Sequence, residues 1–449
     1  MTTSPRPGAA RFYVETLGCP KNAVDSDKVV ASLLHDGLVA AATPGDADVV
    51  VVNTCAFVEA ARQESIDTVL ALSDARKPGA HVVVTGCLAE RYGDELATAL
   101  PEVDAVVGFA HEGQIAPVAL RQKPSAPTGV RDLLELPRPA PTNPWAYVKV
   151  AEGCDRACAF CAIPSFRGKQ RSRLPEAIEA ESRALVAGGV RELVLVAQDL
   201  AWYGRDVGEP GALVPLLHRL DGLRDDGLER IRLLYLYPSE VHDPLVATML
   251  ELPSVVPYFD LSLQHASAPL LRAMKRWGSG ERFRDIIAGI RADAPDAAFR
   301  SSFIVGFPGE TESDHDELLA FLRDVELDWA GFFPFSREEG TPAADLPDTA
   351  DERTVAERLR ECGEAQDPIT AAARDAMVGR EVEVLVDGTD DETGDAIGRT
   401  HREAPEIDGV VRLADGFARP GSIVRARVVE ASGPDLVADP VARVVVRAS

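Results

Sequence analysis

Short apolar runs alternate with amphipathic stretches through the first 122 residues. Strand-like runs rich in β-branched residues occupy 12–17, 48–53, 81–85 and 105–108. Between them, apolar residues recur at the three- to four-residue spacing of a helix, for instance over 25–35 and 57–72. This alternation predicts an α/β domain, residues 1–122, whose sheet is mostly parallel.

A proline-dense segment, 123–144, follows this domain and shows no hydrophobic periodicity. Proline lacks a backbone N–H, so it opposes both helix interiors and central strands. We therefore expect a linker that ends the first domain. The prolines of this region are Pro124, Pro127, Pro137, Pro139, Pro141 and Pro144.

From residue 145 the alternation resumes and predicts a second unit, 145–376. Strand-like runs lie at 146–151, 192–197, 231–235, 258–263, 298–305 and 329–333. Helical patterns such as 175–187 and 314–324 separate them, and a longer helix over 351–377 leaves the unit. Six βα repeats are fewer than the eight of a closed barrel. We therefore expect a partial (βα)6 barrel with its active site at the carboxyl ends of the strands.

Residues 377–449 predict a small β-barrel of about five strands. Apolar β-rich runs at 381–386, 409–412, 422–430 and 437–438 are separated by Gly and Asp turns. Barrels of this size often bind RNA, but this segment holds nine arginines against fourteen acidic residues. A negative net charge weakens the case for phosphate binding.

The charge of the whole chain bears on its partners. Its 449 residues include 72 acidic and 47 basic side chains, for a net charge of −25. Nucleic-acid binding needs a basic surface, so a basic protein is the more natural partner. The alternative is that the acidity serves only solubility. One candidate basic patch remains, the run Arg-Gly-Lys-Gln-Arg-Ser-Arg at 167–173.

The sequence gives no indication of membrane insertion or secretion. Its first residues lack the apolar segment of a signal peptide, and no apolar run approaches the length of a membrane span. We therefore expect a cytoplasmic protein. The seven cysteines then favour metal ligation over disulfide bonds.

Cys154, Cys158 and Cys161 form the most informative motif, a Cys-x3-Cys-x2-Cys triplet after a predicted strand. Three thiolates can ligate three irons of a cubane cluster and leave the fourth iron open for a small molecule. A closed zinc or disulfide site is the alternative, yet the next thirty residues contain neither Cys nor His. With Phe160 before its last cysteine, the triplet resembles the signature of the radical S-adenosylmethionine (SAM) superfamily.

Three other cysteines, Cys19, Cys55 and Cys87, share one context, because each follows an apolar strand-like run. The carboxyl ends of parallel strands lie along one edge of a sheet, where α/β folds bind ligands. We therefore expect the three thiolates to converge and to hold a second cluster with one open iron. The alternative is that they are buried structural cysteines, as we expect for Cys362 in the connecting helix.

The order of these units and a set of short motifs resemble the methylthiotransferase family of radical-SAM enzymes over nearly the whole chain. The motifs are closest to the branch that methylthiolates the β-carbon of an aspartate in small-subunit ribosomal protein S-twelve. Gly-Cys-Pro-Lys-Asn at 18–22 stands where tRNA-modifying relatives typically carry Gly-Cys-Gln-Met-Asn. The C-terminal unit resembles the TRAM domain. Ser262 is a departure, since the family pattern leads us to expect proline there. The motifs lie at 17–22, 52–58, 85–92, 151–154, 234–238, 259–265, 304–311, 336–341 and 405–409.

The resemblance implies a chemistry that uses two 4Fe–4S clusters and SAM. One cluster binds SAM and cleaves it reductively to a radical, and the other carries a methylated sulfur for which a second SAM is the methyl donor. The cysteines implied for the first are Cys154, Cys158 and Cys161, and those for the second are Cys19, Cys55 and Cys87. Phe160, Gln198 and the backbone at Gly306 are the expected SAM contacts. No catalytic side chain is expected beyond the cluster ligands.

The implied partners are ribosomal protein S-twelve, or the small ribosomal subunit, as substrate and a reductant protein such as a flavodoxin or ferredoxin. Neither a membrane nor tRNA is expected as a partner. Two other functions stay open. A tRNA isopentenyladenosine methylthiotransferase would share the chemistry, but the charge and the motifs count against it. A non-enzymatic iron–sulfur redox module would not need a barrel of six repeats.

Overall fold

The computed structural model describes residues 9–120, 133–347, 350–414 and 418–441. Residues 123–132 of the predicted linker, including Pro124 and Pro127, therefore lie outside the described residues. The described chain forms an α/β domain, a partial barrel and a small closed β-barrel, which confirms the predicted fold class. The domain limits at 122, 144 and 376 stay a prediction. No helix in the described ranges is both long and apolar enough to cross a membrane.

The N-terminal domain is a five-stranded, fully parallel sheet in the order β2-β1-β3-β4-β5. Alternate residues of the central strand pack on opposite faces, Val50 and Val52 on one and Val49 and Val51 on the other. Both faces are covered by helices, which explains why that strand is apolar throughout. Strands are β1 Arg11–Thr16, β2 Val39–Ala40, β3 Val49–Thr54, β4 His81–Gly86 and β5 Ala105–Val107; helices are α1 Pro20–His35, α2 Glu59–Ala75, α3 Cys87–Ala99 and α4 Ile115–Ala119.

Helix α1 begins five residues before the predicted start. Pro20 occupies its first position, where proline's fixed φ and missing N–H suit a helix, and Cys19 is the residue that caps it. The helix therefore starts directly at a candidate cysteine.

The second unit contains six parallel strands in the order β6-β9-β10-β11-β12-β13. Two sets of three strands are joined by the isolated bridge between Leu236 and Leu261. The predicted partial (βα)6 barrel is therefore confirmed, and a short antiparallel pair, β7 with β8, lies beyond its first strand. Strands are β6 Trp145–Lys149, β7 Ala151–Glu152, β8 Arg171–Ser172, β9 Glu192–Val196, β10 Arg230–Leu233, β11 Tyr258–Gln264, β12 Ala298–Val305 and β13 Trp329–Pro334. Helices are α5 Ile163–Arg167, α6 Pro175–Ala187, α7 Leu213–Asp221, α8 Asp243–Glu251, α9 Ala268–Ala273, α10 Gly280–Asp293 and α11 Glu312–Val325.

A long helix, α12 Glu352–Asp375, leads into a closed barrel in the order β14-β15-β16-β18-β17. Its strand β15 was not predicted, because it is four residues long and contains a glycine. That glycine is required, since a Cβ at Gly398 would lie 2.2 Å from the carbonyl oxygen of Leu385. The strands are β14 Glu381–Thr389, β15 Ala396–Arg399, β16 Val411–Leu413, β17 Ile423–Ser432 and β18 Asp435–Pro440.

The inner face of the partial barrel is filled by the two neighbouring domains. Val24 from α1 and Ala404 from the small barrel belong to the same buried cluster as Tyr147, Val194 and Leu234 of the barrel strands. The first turn of α1 is thereby placed against the barrel interior. This packing brings the strand ends of the N-terminal domain next to those of the barrel.

Buried ion pairs join the partial barrel to the small barrel. Glu192, fully buried at the start of β9, accepts a hydrogen bond from Arg232 Nε at 2.6 Å and forms an ion pair with Arg399, whose Nη1 lies 2.8 Å from Glu192 Oε2. Arg230 donates to backbone carbonyls of Arg399 and Glu383 at 2.8 Å. The small barrel is therefore fixed to the larger one by charges that have no access to water.

We expect Glu192→Gln to lower the free energy of unfolding by about 3 kcal/mol, because Arg232 loses its buried counter-ion and Arg399 keeps only Asp387. Burial opposes ionisation, but Arg232 and Arg399 prevail and lower the pKa of Glu192 to about 2. Its stabilisation is therefore complete above about pH 4.5 and is lost as the pH falls towards 2. Thermal melting at pH 7 and at pH 3 measures both effects. Glu176→Gln, at an exposed pair with Arg219, should change little, and an equal loss in the two variants would contradict the expectation.

Candidate active site between two cysteine triplets

The first triplet lies in the loop that follows β7. The backbone N–H of Arg156 donates to Cys154 Sγ at 3.4 Å, and Arg276 Nη1 donates to Cys158 Sγ at 3.5 Å. Burial raises the pKa of Cys154 to about 11 and that of Cys161 to about 12, and each thiol senses the charge of Cys158. The three sulfurs are therefore grouped, and a bound metal would have to deprotonate them.

The second triplet lies where the sequence placed it, at the carboxyl ends of the adjacent strands β1, β3 and β4. Gly18, with a φ of +91°, brings the chain so close that a Cβ there would lie 2.9 Å from Cys55 Sγ. Burial raises the pKa of Cys55 to about 12, with a further contribution from the charges of Cys87 and Cys19. The three cysteines therefore converge on one edge of the sheet.

Asn22 fixes the spacing of this second triplet. Its Nδ2 donates to the carbonyl oxygens of Leu17 at 2.9 Å and Thr54 at 3.0 Å, the latter next to Cys55 in the chain. Its Oδ1 faces Cys87 Sγ at 3.7 Å. The fully buried amide of Asn22 therefore contacts Cys87 directly, and it holds the backbone just before Cys19 and Cys55.

The arrangement of the metal-ligating side chains bears on the alternative of a closed site. Within the described ranges, no three Cys, His, Asp or Glu side chains are arranged to hold one metal ion, and all seven cysteines are free thiols. A cubane assigns each thiolate to a different iron, so its ligands are spaced more widely than those of one zinc ion. The described part of the chain therefore gives no support to the alternative of a closed zinc or disulfide site.

Arg167, at the end of α5 with 3% of its side chain exposed, connects the two triplets. Its Nη2 donates to Cys87 Sγ at 3.1 Å and to Asn22 Oδ1 at 2.6 Å. Its Nη1 donates to both carboxylate oxygens of Glu152, at 2.8 and 2.9 Å, two residues before Cys154. The guanidinium of Arg167 therefore connects Cys87, a candidate ligand in the second triplet, to the loop that carries the first triplet.

Lys149 completes this buried charge network. Its Nζ donates to Glu152 at 2.7 Å and also to Asp25 of α1. Burial opposes the ionisation of Glu152, yet Arg167 and Lys149 hold its pKa well below the usual range. The network is therefore a set of charged groups that neutralise one another at the junction of the N-terminal domain and the barrel.

The three residues expected to contact SAM lie at the carboxyl ends of the barrel strands or in the first triplet's loop. Phe160 packs against the barrel core. Gln198 Nε2 donates to Glu152, and the amide of Gly306 donates to Glu310. Gln198 Oε1 and Asp199 Oδ1 are buried acceptors without a hydrogen-bond partner among the described residues. The direct contacts with SAM stay a prediction.

The candidate basic patch at 167–173 is only partly a surface feature, because Lys169 and Arg171 are exposed whereas the side chains of Arg167 and Arg173 are buried. Arg167 pairs with Glu152, and Arg173 pairs with Glu181 at 2.8 Å with only 2% of its side chain exposed. Cys362 is fully buried in the barrel core, as predicted. The inward position of Arg167 could not be predicted, because its carboxylate and thiol partners, Glu152 and Cys87, are not identifiable from the local run of basic residues.

Comparison with known protein families finds a matching family for each of the three structural units. Residues 11–108 match the family described as uncharacterized protein family UPF0004, 148–322 match the radical SAM superfamily, and 378–441 match the TRAM domain. The ribosomal protein uS12 methylthiotransferase RimO of Geobacter sulfurreducens is 42% identical, over 94% of this chain and 97% of its own length. The chain belongs to the RimO family. The RimO protein of Anaeromyxobacter sp. (strain K) is 44% identical, over 97% of this chain and 94% of that protein.

RimO membership makes the chain a radical-SAM methylthiotransferase, an enzyme class that uses SAM and 4Fe–4S clusters. Among solved structures, the radical SAM methyltransferase TsrM of Kitasatospora setae aligns with a TM-score of 0.55 at 12% identity, over 75% of this chain and 77% of its own. That likeness concerns the fold. The residues present fit the cofactors, since N–H donors to sulfur suit thiolate ligands, and the buried acceptors Gln198 Oε1 and Asp199 Oδ1 are free to accept from ammonium or hydroxyl groups such as those of SAM.

Proposed function

We propose that this protein transfers a methylthio group to the β-carbon of an aspartate in ribosomal protein uS12. The observation that carries the proposal is the pair of cysteine triplets at neighbouring strand ends, joined by Arg167. The names of the RimO relatives support uS12 as the substrate. An aspartate Cβ–H bond is not acidic enough for polar catalysis, so a radical-generating cofactor is required.

The proposal assigns a separate cluster to each triplet. Together with SAM, these groups supply the radical that removes hydrogen and the methylated sulfur that replaces it. The first set of ligands is Cys154, Cys158 and Cys161, and the second is Cys19, Cys55 and Cys87. Phe160, Gln198 and Gly306 line the proposed SAM site.

The contribution of the protein's own residues is placement and charge compensation. Arg167 and Lys149 keep Glu152 ionised while burying it, and Glu152 in turn accepts from Gln198. Asn22 holds the loops of the second triplet together. The packing of α1 against the barrel excludes water from this junction, which protects a radical from side reactions.

The proposed substrate also decides the remaining partners. Ribosomal proteins are generally basic, so a protein of charge −25 gains encounter rate from opposite charge. Because ribosomes are cytoplasmic, we place the protein in the cytoplasm. A flavodoxin or ferredoxin is the proposed electron donor, and tRNA is not a proposed substrate.

We test substrate identity by offering two substrates to the anaerobically reconstituted protein. One is a peptide that copies the uS12 loop bearing the aspartate, and the other is hypomodified tRNA with isopentenyladenosine. Mass spectrometry should find one methylthio group in place of one hydrogen on the peptide and none on the tRNA. The rate at low peptide concentration should fall as salt rises, because screening weakens the attraction.

Two controls make the result specific. A peptide with Asn or Ala in place of the target aspartate should remain unmodified, which locates the reaction on that side chain. Product on the tRNA alone would refute uS12 as the substrate and leave the radical chemistry intact.

A further inference from the structure

Lys21, in the first turn of α1, is a largely buried cation without a direct acidic partner among the described residues. Only 8% of the residue is exposed. Its Nζ lies 3.5 Å from the centre of the Tyr235 ring, and no oxygen of the described residues forms a hydrogen bond or an ion pair with it. A cation–π contact offsets only part of the cost of burying an ammonium group. The position can therefore accept an anion that is not part of the described chain.

The other cations at the junction of the N-terminal domain and the barrel already have carboxylate partners. Lys149 and Arg167 share Asp25 and Glu152. Arg300 pairs with Asp260 at 3.1 Å and with Asp408 at 3.5 Å. Within the described ranges, each of these carboxylates has a direct cationic partner, and Lys21 forms an ion pair with none of them.

Tyr235, which supports the Lys21 ammonium, is held in a strained conformation. Its φ is 64°, in the left-handed region that non-glycine residues rarely adopt. A hydrogen bond of 2.9 Å from its backbone N–H to Asp260 Oδ2 holds it there. Strain of this kind is concentrated at ligand-binding positions, and here it places the ring beside Lys21 at the carboxyl end of β10.

Lys21 is also close to the second triplet, since it is two residues from Cys19 and its charge acts on that thiol. In aspartate, the carbon that would receive sulfur is bonded directly to the side-chain carboxylate. A cation that holds this carboxylate therefore places the reacting carbon one bond away, next to the candidate sulfur-carrying site.

We propose that Lys21 binds the side-chain carboxylate of the target aspartate and so determines the choice of an acidic substrate. This inference rests on the proposed function, because it assigns a residue to the recognition of that substrate. Lys21 binds the substrate as a charged ammonium group, and no change in the protonation of Lys21 is required.

The test compares binding of two fluorescent uS12-loop peptides, one with the target aspartate and one with Asn at that position. Fluorescence anisotropy gives the Kd of each for the anaerobically reconstituted protein. The wild type should prefer the aspartate peptide by about 10- to 100-fold, the range of a buried charge-assisted hydrogen bond. Lys21→Met, similar in length but uncharged, should reduce that preference to within about twofold.

Two further variants separate recognition from general damage. Lys21→Arg keeps the charge and should retain most of the preference. Lys77→Met is the matched control, since Lys77 pairs with Asp48 at the opposite edge of the same sheet and should behave as wild type. Iron content and SAM cleavage without peptide should be unchanged in Lys77→Met, and both are measured in Lys21→Met as well.

The remaining outcomes would contradict either this inference or the proposed function. A Lys21→Met variant that still prefers aspartate would overturn the inference. A loss of iron, or of methyl transfer from SAM without peptide, with the preference intact would show that Lys21 serves the cluster instead. If the wild type neither binds nor modifies the aspartate peptide, the proposed function itself fails.

Discussion

About eight irons per chain should be found after anaerobic reconstitution, and replacing either cysteine triplet by alanine should leave about four. The two triple variants should differ in activity. Without the first triplet, reductive SAM cleavage should be abolished, because the proposed SAM-binding iron is lost. Without the second, SAM cleavage should persist while methylthiolation disappears. The variants replace Cys154, Cys158 and Cys161, or Cys19, Cys55 and Cys87.

Iron and sulfide analysis, electron paramagnetic resonance and chromatography of 5′-deoxyadenosine measure these outcomes. Cys362→Ala is the control, because Cys362 is buried in the core away from both triplets and should leave the iron content unchanged. A full iron complement in the second triple variant would show that the cysteines at the sheet edge are structural.

Arg167→Gln should cost on the order of 5 kcal/mol of stability, the upper end for breaking a buried ion pair. The change leaves Glu152 and Asp25 with Lys149 as their remaining buried cation, and it removes the donors to Cys87 Sγ and Asn22. Hydrogen bonds to sulfur raise the reduction potential of a cluster. The cluster proposed on Cys87 should therefore become harder to reduce.

Thermal melting and a potentiometric titration of the reconstituted protein measure these two effects. Arg183→Gln provides the comparison, because Arg183 is half exposed and pairs with Glu179 and Asp226 at the surface, where such pairs contribute little. Arg167→Lys should recover part of the stability but not the potential, since an ammonium cannot reach both sides of the network as a guanidinium does. Equal melting temperatures for Arg167→Gln and Arg183→Gln would refute a central role for Arg167.

Local sequence predicted the elements well where local rules dominate. Helix α6 was predicted at its observed bounds, because Pro175 marks its first position and Gly188 its end. Strand β3 was evident from its valines, since it is buried on both faces. The start of α1 and strand β15 were missed, because a proline-led first turn and a four-residue strand with glycine give weak periodic signals.

The candidate site was likewise predictable from the sequence only in part. The convergence of Cys19, Cys55 and Cys87 followed from the sequence, because parallel strands that alternate with helices must end at one edge. The role of Lys21 did not follow, although the motif that contains it was recognised. Its partner Tyr235 lies more than two hundred residues away and meets it only because α1 packs into the barrel.

The sequence by itself determined the three-part architecture, the two cysteine triplets and the family, since these depend on local periodicity and on short motifs. Tertiary structure alone decided which charges are buried and what they face. The run at 167–173 has the same composition whether it lies on a surface or in a core. Arg167 became the link between the triplets because folding set it against Glu152 and Cys87, and removal from water makes each of those contacts strong.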